Sequence, residues 1–404
     1  MNKQIFSIIN LRVLFVLALT SLMAACSSTD DDEDEAIKVA ELTEISQQFD
    51  AEVAWEKSIG DGVDDYFSRI KPAYGYNKIF SASREGDVYA LDVSTGEQVW
   101  HVDLSDADSE RGFFENRQPA LIAGGPVTGI NKVFLGTENG EVFALDAETG
   151  ELAWKGKVKG EIIASPALDS GVLVVNSASG ILKAFNASSG EDMWEVDLDV
   201  PPLTLRGISA PTIAAGGVIV GTSAGELSVF MLEKGQQGWS VDVGEPSGST
   251  ELERVIDVDS QAVVFGDKVY SVSSRGNLVA IDIRNGRVLW KRQYSSYRQM
   301  AISGNTIYLT NTKGHIYAVD RINGLERWSN LALTNRGVTG PAVVGKNIVV
   351  GDFEGYLHFV NTESGEFVSR HEVDSSGIHT TPTVVDGIIF SQARDGSLQA
   401  IKVP

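Results

Sequence analysis

The sequence predicts an all-β fold, an eight-bladed β-propeller with four antiparallel strands per blade, and three observations carry that expectation. A glycine-led strand of one composition recurs eight times along the chain. Most copies are followed by a turn that closes on glycine and leads into tryptophan. Each chain end holds the part of a repeat that the other end lacks.

The recurring strand opens at Gly86-Asp-Val-Tyr-Ala-Leu-Asp92 and returns from Gly140, Gly180, Gly225, Gly276, Gly314, Gly355 and Gly396. Behind seven copies sits a turn such as Asp92-Val-Ser-Thr-Gly96, in which an Asx side chain can cap the turn and glycine takes positive φ. Trp100, Trp154, Trp194, Trp239, Trp290 and Trp328 follow the turn glycine by four residues, whereas the seventh copy places Phe367 two residues after Gly365. A β-branched strand such as Gly171-Val-Leu-Val-Val175 precedes each glycine-led strand. A small-residue segment such as Ala164-Ser-Pro-Ala167 precedes that. Each repeat therefore supplies four short strands, and the tryptophans are expected to pack the layer between blades rather than to form a cofactor box.

The final glycine-led strand ends at the C-terminus without a fourth strand, while Glu52-Val-Ala-Trp-Glu-Lys57 resembles a fourth strand without its first three. Pairing the two closes the ring and removes the seam between first and last blades.

Residues 1–25 have the layout of a secretion signal, with Lys3 and Arg12, an apolar run from Val13 to Met23, and Ala24-Ala25. That run is too short to span a bilayer. Cys26 is the only cysteine, which excludes an intramolecular disulfide and a multi-thiolate metal site. The segment Leu22-Met23-Ala24-Ala25-Cys26 resembles a bacterial lipobox, although Met23 stands where leucine is usual. The resemblance implies acylation of Cys26, and Ser27 after it implies delivery to the outer membrane. Acyl chains, at about 0.8 kcal/mol per buried methylene, would anchor the protein durably. Residues 26–44, with the acid run Asp30 to Glu35, are expected to form an extended tether, and residues 45–404 the propeller. The acid run lacks the alternating ligands and turn glycine of a calcium loop.

The formal charge is 33 − 55 = −22, and −24 once the signal with Lys3 and Arg12 is removed. Such a surface disfavours nucleic acid and a polybasic grip on anionic lipid, and no basic cluster is visible along the chain. Gly221-Thr-Ser-Ala-Gly225 matches a nucleophile elbow but falls in a turn between antiparallel strands rather than on a strand-to-helix bend. His101, His315, His358, His371 and His379 are scattered without metal-ligand spacing, and no glycine-rich phosphate loop precedes a helix. No catalytic residue, metal or cofactor is expected. The enzyme alternative is a quinoprotein dehydrogenase, because those enzymes share the tryptophan repeat. They are typically larger, and many use adjacent cysteines that this chain lacks. A propeller that binds another envelope ligand, such as a sugar, is a third reading.

Connectors from each outermost strand to the next blade's innermost strand emerge on one face. The long ones are residues 104–118 with Phe113 and Phe114, residues 197–207, and residues 243–257. The last two join neighbouring blades, so Leu203, Leu205 and Arg206 are expected beside the carboxylates of Asp257 and Asp259. Leucines next to the planar donor fork of arginine make a candidate hot spot, with ordinary loop packing as the alternative.

Pro202-Leu-Thr-Leu-Arg-Gly-Ile-Ser-Ala-Pro211 and Gly248-Ser-Thr-Glu-Leu-Glu-Arg-Val-Ile-Asp-Val-Asp259, with the lipobox and the eight repeats, resemble the BamB family of the β-barrel assembly machinery. The resemblance covers essentially the whole chain after Cys26. It implies a periplasmic lipoprotein that acts as a scaffold, binds a POTRA domain of BamA and helps present unfolded outer membrane proteins. Leu203, Leu205, Arg206, Asp257 and Asp259 are the positions it implies for the BamA contact. Blade edges or loop aromatics such as Phe113 could pair with extended clients.

Overall fold

The structure is a computed structural model that describes residues 38–105, 118–201, 203–204, 208–244 and 255–404. Among these residues there is no helix, and thirty-two strands form eight four-stranded antiparallel sheets. Seven sheets are built from consecutive strands, with innermost strands that start at Ala73, Ile122, Ala167, Thr212, Val263, Ala301 and Ala342. These are blades one to seven. Blade eight takes three strands from Thr383 onward and borrows Glu52–Ser58 as its outermost strand. The register of the borrowed strand, with Trp55 opposite Ala400 and Lys57 opposite Leu398, is the predicted closure of the ring.

Burial follows from the stacking of blades. A sheet packed between two neighbours loses both faces to solvent, so the second strands read as continuous apolar runs. Val172–Asn176 and Thr306–Thr310 are buried at every position. Outermost strands such as Asp192–Asp197 keep alternate residues exposed, because no further strand covers their edge. Gly221 to Gly225 lies in the turn between the strands Gly217–Gly221 and Glu226–Met231, as the sequence implied.

Each tryptophan latches its blade to the next. The Trp154 indole N–H donates to the Ala187 carbonyl at 2.9 Å, and the ring lies against Gly190, where a Cβ would come within 2.7 Å of it. Gly190 also holds φ at 77°, a conformation that glycine adopts without steric cost. The same donation runs from Trp55 to Val93, Trp100 to Ala147, Trp194 to Leu232, Trp239 to Ile283, Trp290 to Arg321 and Trp328 to Thr362. In every case the acceptor is the residue directly after the first residue of the neighbouring blade's turn. The tryptophans are therefore structural, and their regular spacing needs no bound cofactor to explain it.

Blade seven departs from this plan. At the tryptophan position, four residues after Gly365, stands Ser369, and opposite it Phe359 replaces the usual alanine. The space is filled from the N-terminal side. Phe49 meets Phe359 edge-on with centroids 5.3 Å apart, and its carbonyl accepts from Ser369 Oγ at 2.7 Å. Gln48 N donates to the Val368 carbonyl, Arg370 Nη1 to Thr43 O, and Ala40 N to Thr334 O. The compact unit accordingly begins at Ala40, so residues 40–44, expected in the tether, pack with the propeller instead.

Beneath that segment lies a buried polar chain. Arg336 donates from Nε to Asp352 at 2.8 Å, and His358 Nε2 meets the same carboxylate at 2.9 Å. Arg370 Nε donates to His358 Nδ1 at 3.2 Å, which fixes the histidine as the neutral tautomer with its proton on Nε2. Arg336 reaches out through Nη1 to Ala40 O and also pairs with Glu354. A buried ionic cluster is tolerated only when its members satisfy one another, and here they do so while holding the N-terminal segment.

Candidate functional site

The connectors between blades and the turns between second and third strands share one face, which carries the candidate site. On the connector after the strand Asp192–Asp197, Val200 is 38% exposed and Leu203 45%, while Thr204 is half-buried. Leu205 and Arg206 lie outside the described residues, as do 106–117 with Phe113 and Phe114, 245–254, and Cys26.

The two carboxylates expected beside Leu203 on the surface are not there. Asp257 is fully buried and Asp259 is 3% exposed. Their backbone explains the inversion. The Asp257 carbonyl accepts from Ser274 N, Val258 N donates to Thr222 O, and the Asp259 carbonyl accepts from Arg69, so the strand-like run 257–259 is pulled between blades four and five. Asp259 is still adjacent to the loop, since it shares a cavity with Asp199, Val200, Thr204 and Ser209. Burial pushes its carboxyl up to about 7, with Asp257 adding to the shift and Arg69 opposing it.

On its other side Asp259 reaches a larger cavity of about 360 Å³ on the ring axis. Seven of the eight blades line it with the residue two places before the innermost strand: Lys71, Ser165, Ala210, Gln261, Gln299, Gly340 and Thr381. Four places before the strand come Arg69, Asp259, Tyr297 and His379, which form a second tier. Tyr66 and Phe67, from the connector into blade one, and Arg394, from a turn of blade eight, complete the wall.

The fold thus assembles a basic cluster that the linear sequence does not display. Arg69 donates through Nη1 to the carbonyls of Ile208 and Asp259, and Arg298 donates through Nη1 to His379 O at 3.0 Å. Lys71 Nζ donates to Gln299 Oε1 at 3.0 Å, joining residues 228 positions apart. Burial lowers the pKa of Lys71 and of Arg69, and for Arg69 the neighbouring Arg298 adds to the effect. His379 is pushed down to about 4 by burial and then by Arg394 and Arg298, so it is neutral at ordinary pH. No serine or threonine hydroxyl among the described lining residues is hydrogen-bonded to His379 or to the Asp259 carboxylate. The described lining presents cationic donors and aromatic rings.

These residues escaped the sequence reading because it aligned repeats on their outer turns. Aligned instead on the innermost strands, the repeats place Lys71 at a ring position that is otherwise neutral or apolar and Arg69 in the tier two residues before it, which is the available signal.

A sequence profile described as outer membrane protein assembly factor BamB matches residues 43–111, 84–330 and 332–403. The outer membrane protein assembly factor BamB of Shewanella oneidensis is 42% identical over 384 residues, which span 95% of this chain and 96% of the relative. Among solved structures, the crystal structure of BamB from Moraxella catarrhalis superposes with a TM-score of 0.76 at 24% identity, covering 87% of this chain and all of the other. The quinohemoprotein alcohol dehydrogenase ADHIIG of Pseudomonas putida superposes with a TM-score of 0.65 at 14% identity, over 90% of this chain and 78% of the enzyme, a likeness of fold alone.

Proposed function

The chain belongs to the family of outer membrane protein assembly factor BamB, and from that premise we propose that it is a non-catalytic scaffold of the β-barrel assembly machinery. It docks through its loop face on a POTRA domain of BamA and assists the delivery of unfolded outer membrane proteins for insertion. Acyl chains on Cys26 hold it at the periplasmic face of the outer membrane. The observation that carries the reading is the apolar exposure of Val200 and Leu203 together on the long connector between blades three and four. Leu203, Leu205 and Arg206 form the contact, and Asp257 and Asp259 act from beneath by setting the position of the connector. Leucines adjacent in sequence to an arginine suit a hot spot, because arginine supplies a planar donor fork and apolar neighbours can exclude water from it.

The test is binding of the mature chain to the BamA periplasmic region, compared with Leu203→Asp and Arg206→Glu, with each variant's melting checked first. Each substitution is expected to weaken binding by upward of about 2 kcal/mol. Equal binding by both folded variants would remove this surface from the contact, and no binding by the unmodified chain would remove BamA as partner.

The quinoprotein reading shares the fold but has no support at the site, where the regular tryptophans are accounted for by blade latching. An absorption spectrum of the purified protein, showing or lacking a quinone band, decides it.

A further inference from the structure

We propose that the axial cavity is a binding site for an organic carboxylate whose apolar body stacks among Tyr66, Phe67 and Tyr297. The inference is independent of the BamA contact, which lies on the outer connector.

Three features of the cavity support it. The first is charge without compensation. In a chain with 55 acidic and 33 basic residues, acids are plentiful, yet Arg69, Lys71 and Arg298 form no ion pair among the described residues. Their hydrogen bonds go to the carbonyls of Ile208, Asp259 and His379 and to the amide of Gln299. Neutral acceptors of this kind fix a cation's position without cancelling its charge. Arg394 does have a carboxylate partner, Asp65 at 2.7 Å, but that aspartate is almost wholly exposed and screened by solvent. The one buried carboxylate in the wall, Asp259, titrates at about 7 because of its burial, so near that pH it offsets part of the charge of Arg69 and leaves Lys71 and Arg298 without an acidic partner.

The second feature is unspent donor capacity. Arg69 and Arg298 each use one guanidinium nitrogen on the protein, Nη1, and Lys71 uses one bond of three. A planar guanidinium fork matches a carboxylate's two oxygens, and an ammonium adds a point charge. His379 Nε2 is buried without a hydrogen-bond partner at the same wall. An orphaned buried polar atom costs free energy unless a ligand or water meets it.

The third is the apolar half of the lining. Tyr66 is 51% and Phe67 38% exposed, and Arg298 lies over the Tyr297 ring at 4.7 Å. Exposed aromatics at the mouth of a cavity of about 360 Å³ favour an acid with a flat or aliphatic body over a hydrated inorganic anion. The carboxylate could belong to a free small acid or to the C-terminus of an extended chain that enters along the axis. Both present the same group to the same cations.

The experiment is calorimetric titration of the full chain in detergent at low salt with 3-phenylpropionate, with the peptide Ala-Ala-Phe, with its C-terminal amide, and with inorganic phosphate. Either acid is expected to bind, the amide at least tenfold more weakly than the peptide acid, and phosphate more weakly than both acids. Lys71→Met, which loses only the Gln299 contact, and Arg298→Gln are each expected to weaken the acid at least tenfold while the protein stays folded by thermal melt. Tighter binding of the peptide than of 3-phenylpropionate identifies a chain end as the source, and the reverse identifies a free acid. The site is disproved if neither acid binds, if acid and amide bind equally, if phosphate competes as well as the acids, or if the folded variants retain full affinity.

Discussion

Ser369 stands opposite Phe359 in blade seven, reversing in size the pairing of tryptophan with alanine that six other blades use at the same two positions. The pair conserves volume by exchanging the large residue across the strands, and Phe49 closes the remaining gap. Phe359→Ala alone is expected to cost about 3–5 kcal/mol by leaving a cavity, and Ser369→Trp alone about 1–3 kcal/mol by overpacking. Combined, they restore the arrangement of the other blades, so urea unfolding should show the double variant more stable than the sum by about 1 kcal/mol or more.

Trp154→Phe keeps the ring against Gly190 but removes the donor to the Ala187 carbonyl. A buried acceptor left without its partner costs about 1–3 kcal/mol, and a lowered melting temperature with little change in circular dichroism is the expected result. Gly190→Ala should be at least as damaging, because it adds a Cβ at positive φ against the same ring.

The blades were legible in the sequence because each is specified within about fifty residues by local chemistry: the glycine-led strand, the Asx turn, and tryptophan at a fixed offset. Even the borrowed strand Glu52–Ser58 was legible, since its tryptophan marks it as a fourth strand. The axial cavity was not. Lys71, Gln299 and Thr381 share a ring position but no residue type, and their contact is created by closure of the ring, which no local window records. Asp257 and Asp259 misled for a related reason. Two acids after a polar connector read as surface, yet the strand-like hydrogen bonds of that run carry them inward.

Asp259 sets a pH dependence whose sign can be derived. Its carboxyl titrates at about 7 in the fold against an ordinary 3.8, so between those values the folded chain keeps a proton that the unfolded chain has lost. Stability from this group is therefore whole below pH 3.8 and declines as pH rises through about 7. Asp259→Asn removes the titration. It is expected to stabilise the protein by on the order of 2–4 kcal/mol at about pH 8 and to change little at about pH 4, as read by chemical denaturation at both.

His358 acts in the opposite direction. Burial holds its pKa below 6.5, against the pull of Asp352 and with Arg370 and Arg336 reinforcing the neutral form. Acidification below 6.5 protonates the unfolded chain first and erodes stability, at up to about 1.4 kcal/mol per pH unit. His358→Gln should be less stable at neutral pH and show a shallower acid slope in melting temperature.

Arg336→Met strips Asp352 of a buried partner and releases the Ala40 carbonyl. Breaking such a pair from one side costs about 3–5 kcal/mol. Limited proteolysis is expected to cleave the variant within residues 40–51 while the rest of the ring resists, which separates local release of the segment from global unfolding.

The strand Glu52–Ser58 has no partner until Ser397–Lys402 exists, since its register is written wholly against that last strand. Synthesis from the N-terminus delivers one strand of the final blade at the start and the other three only at the end. The molecule therefore audits its own completeness: a product that lacks the last strand keeps an unpaired edge bearing Trp55, and only the finished polypeptide covers it.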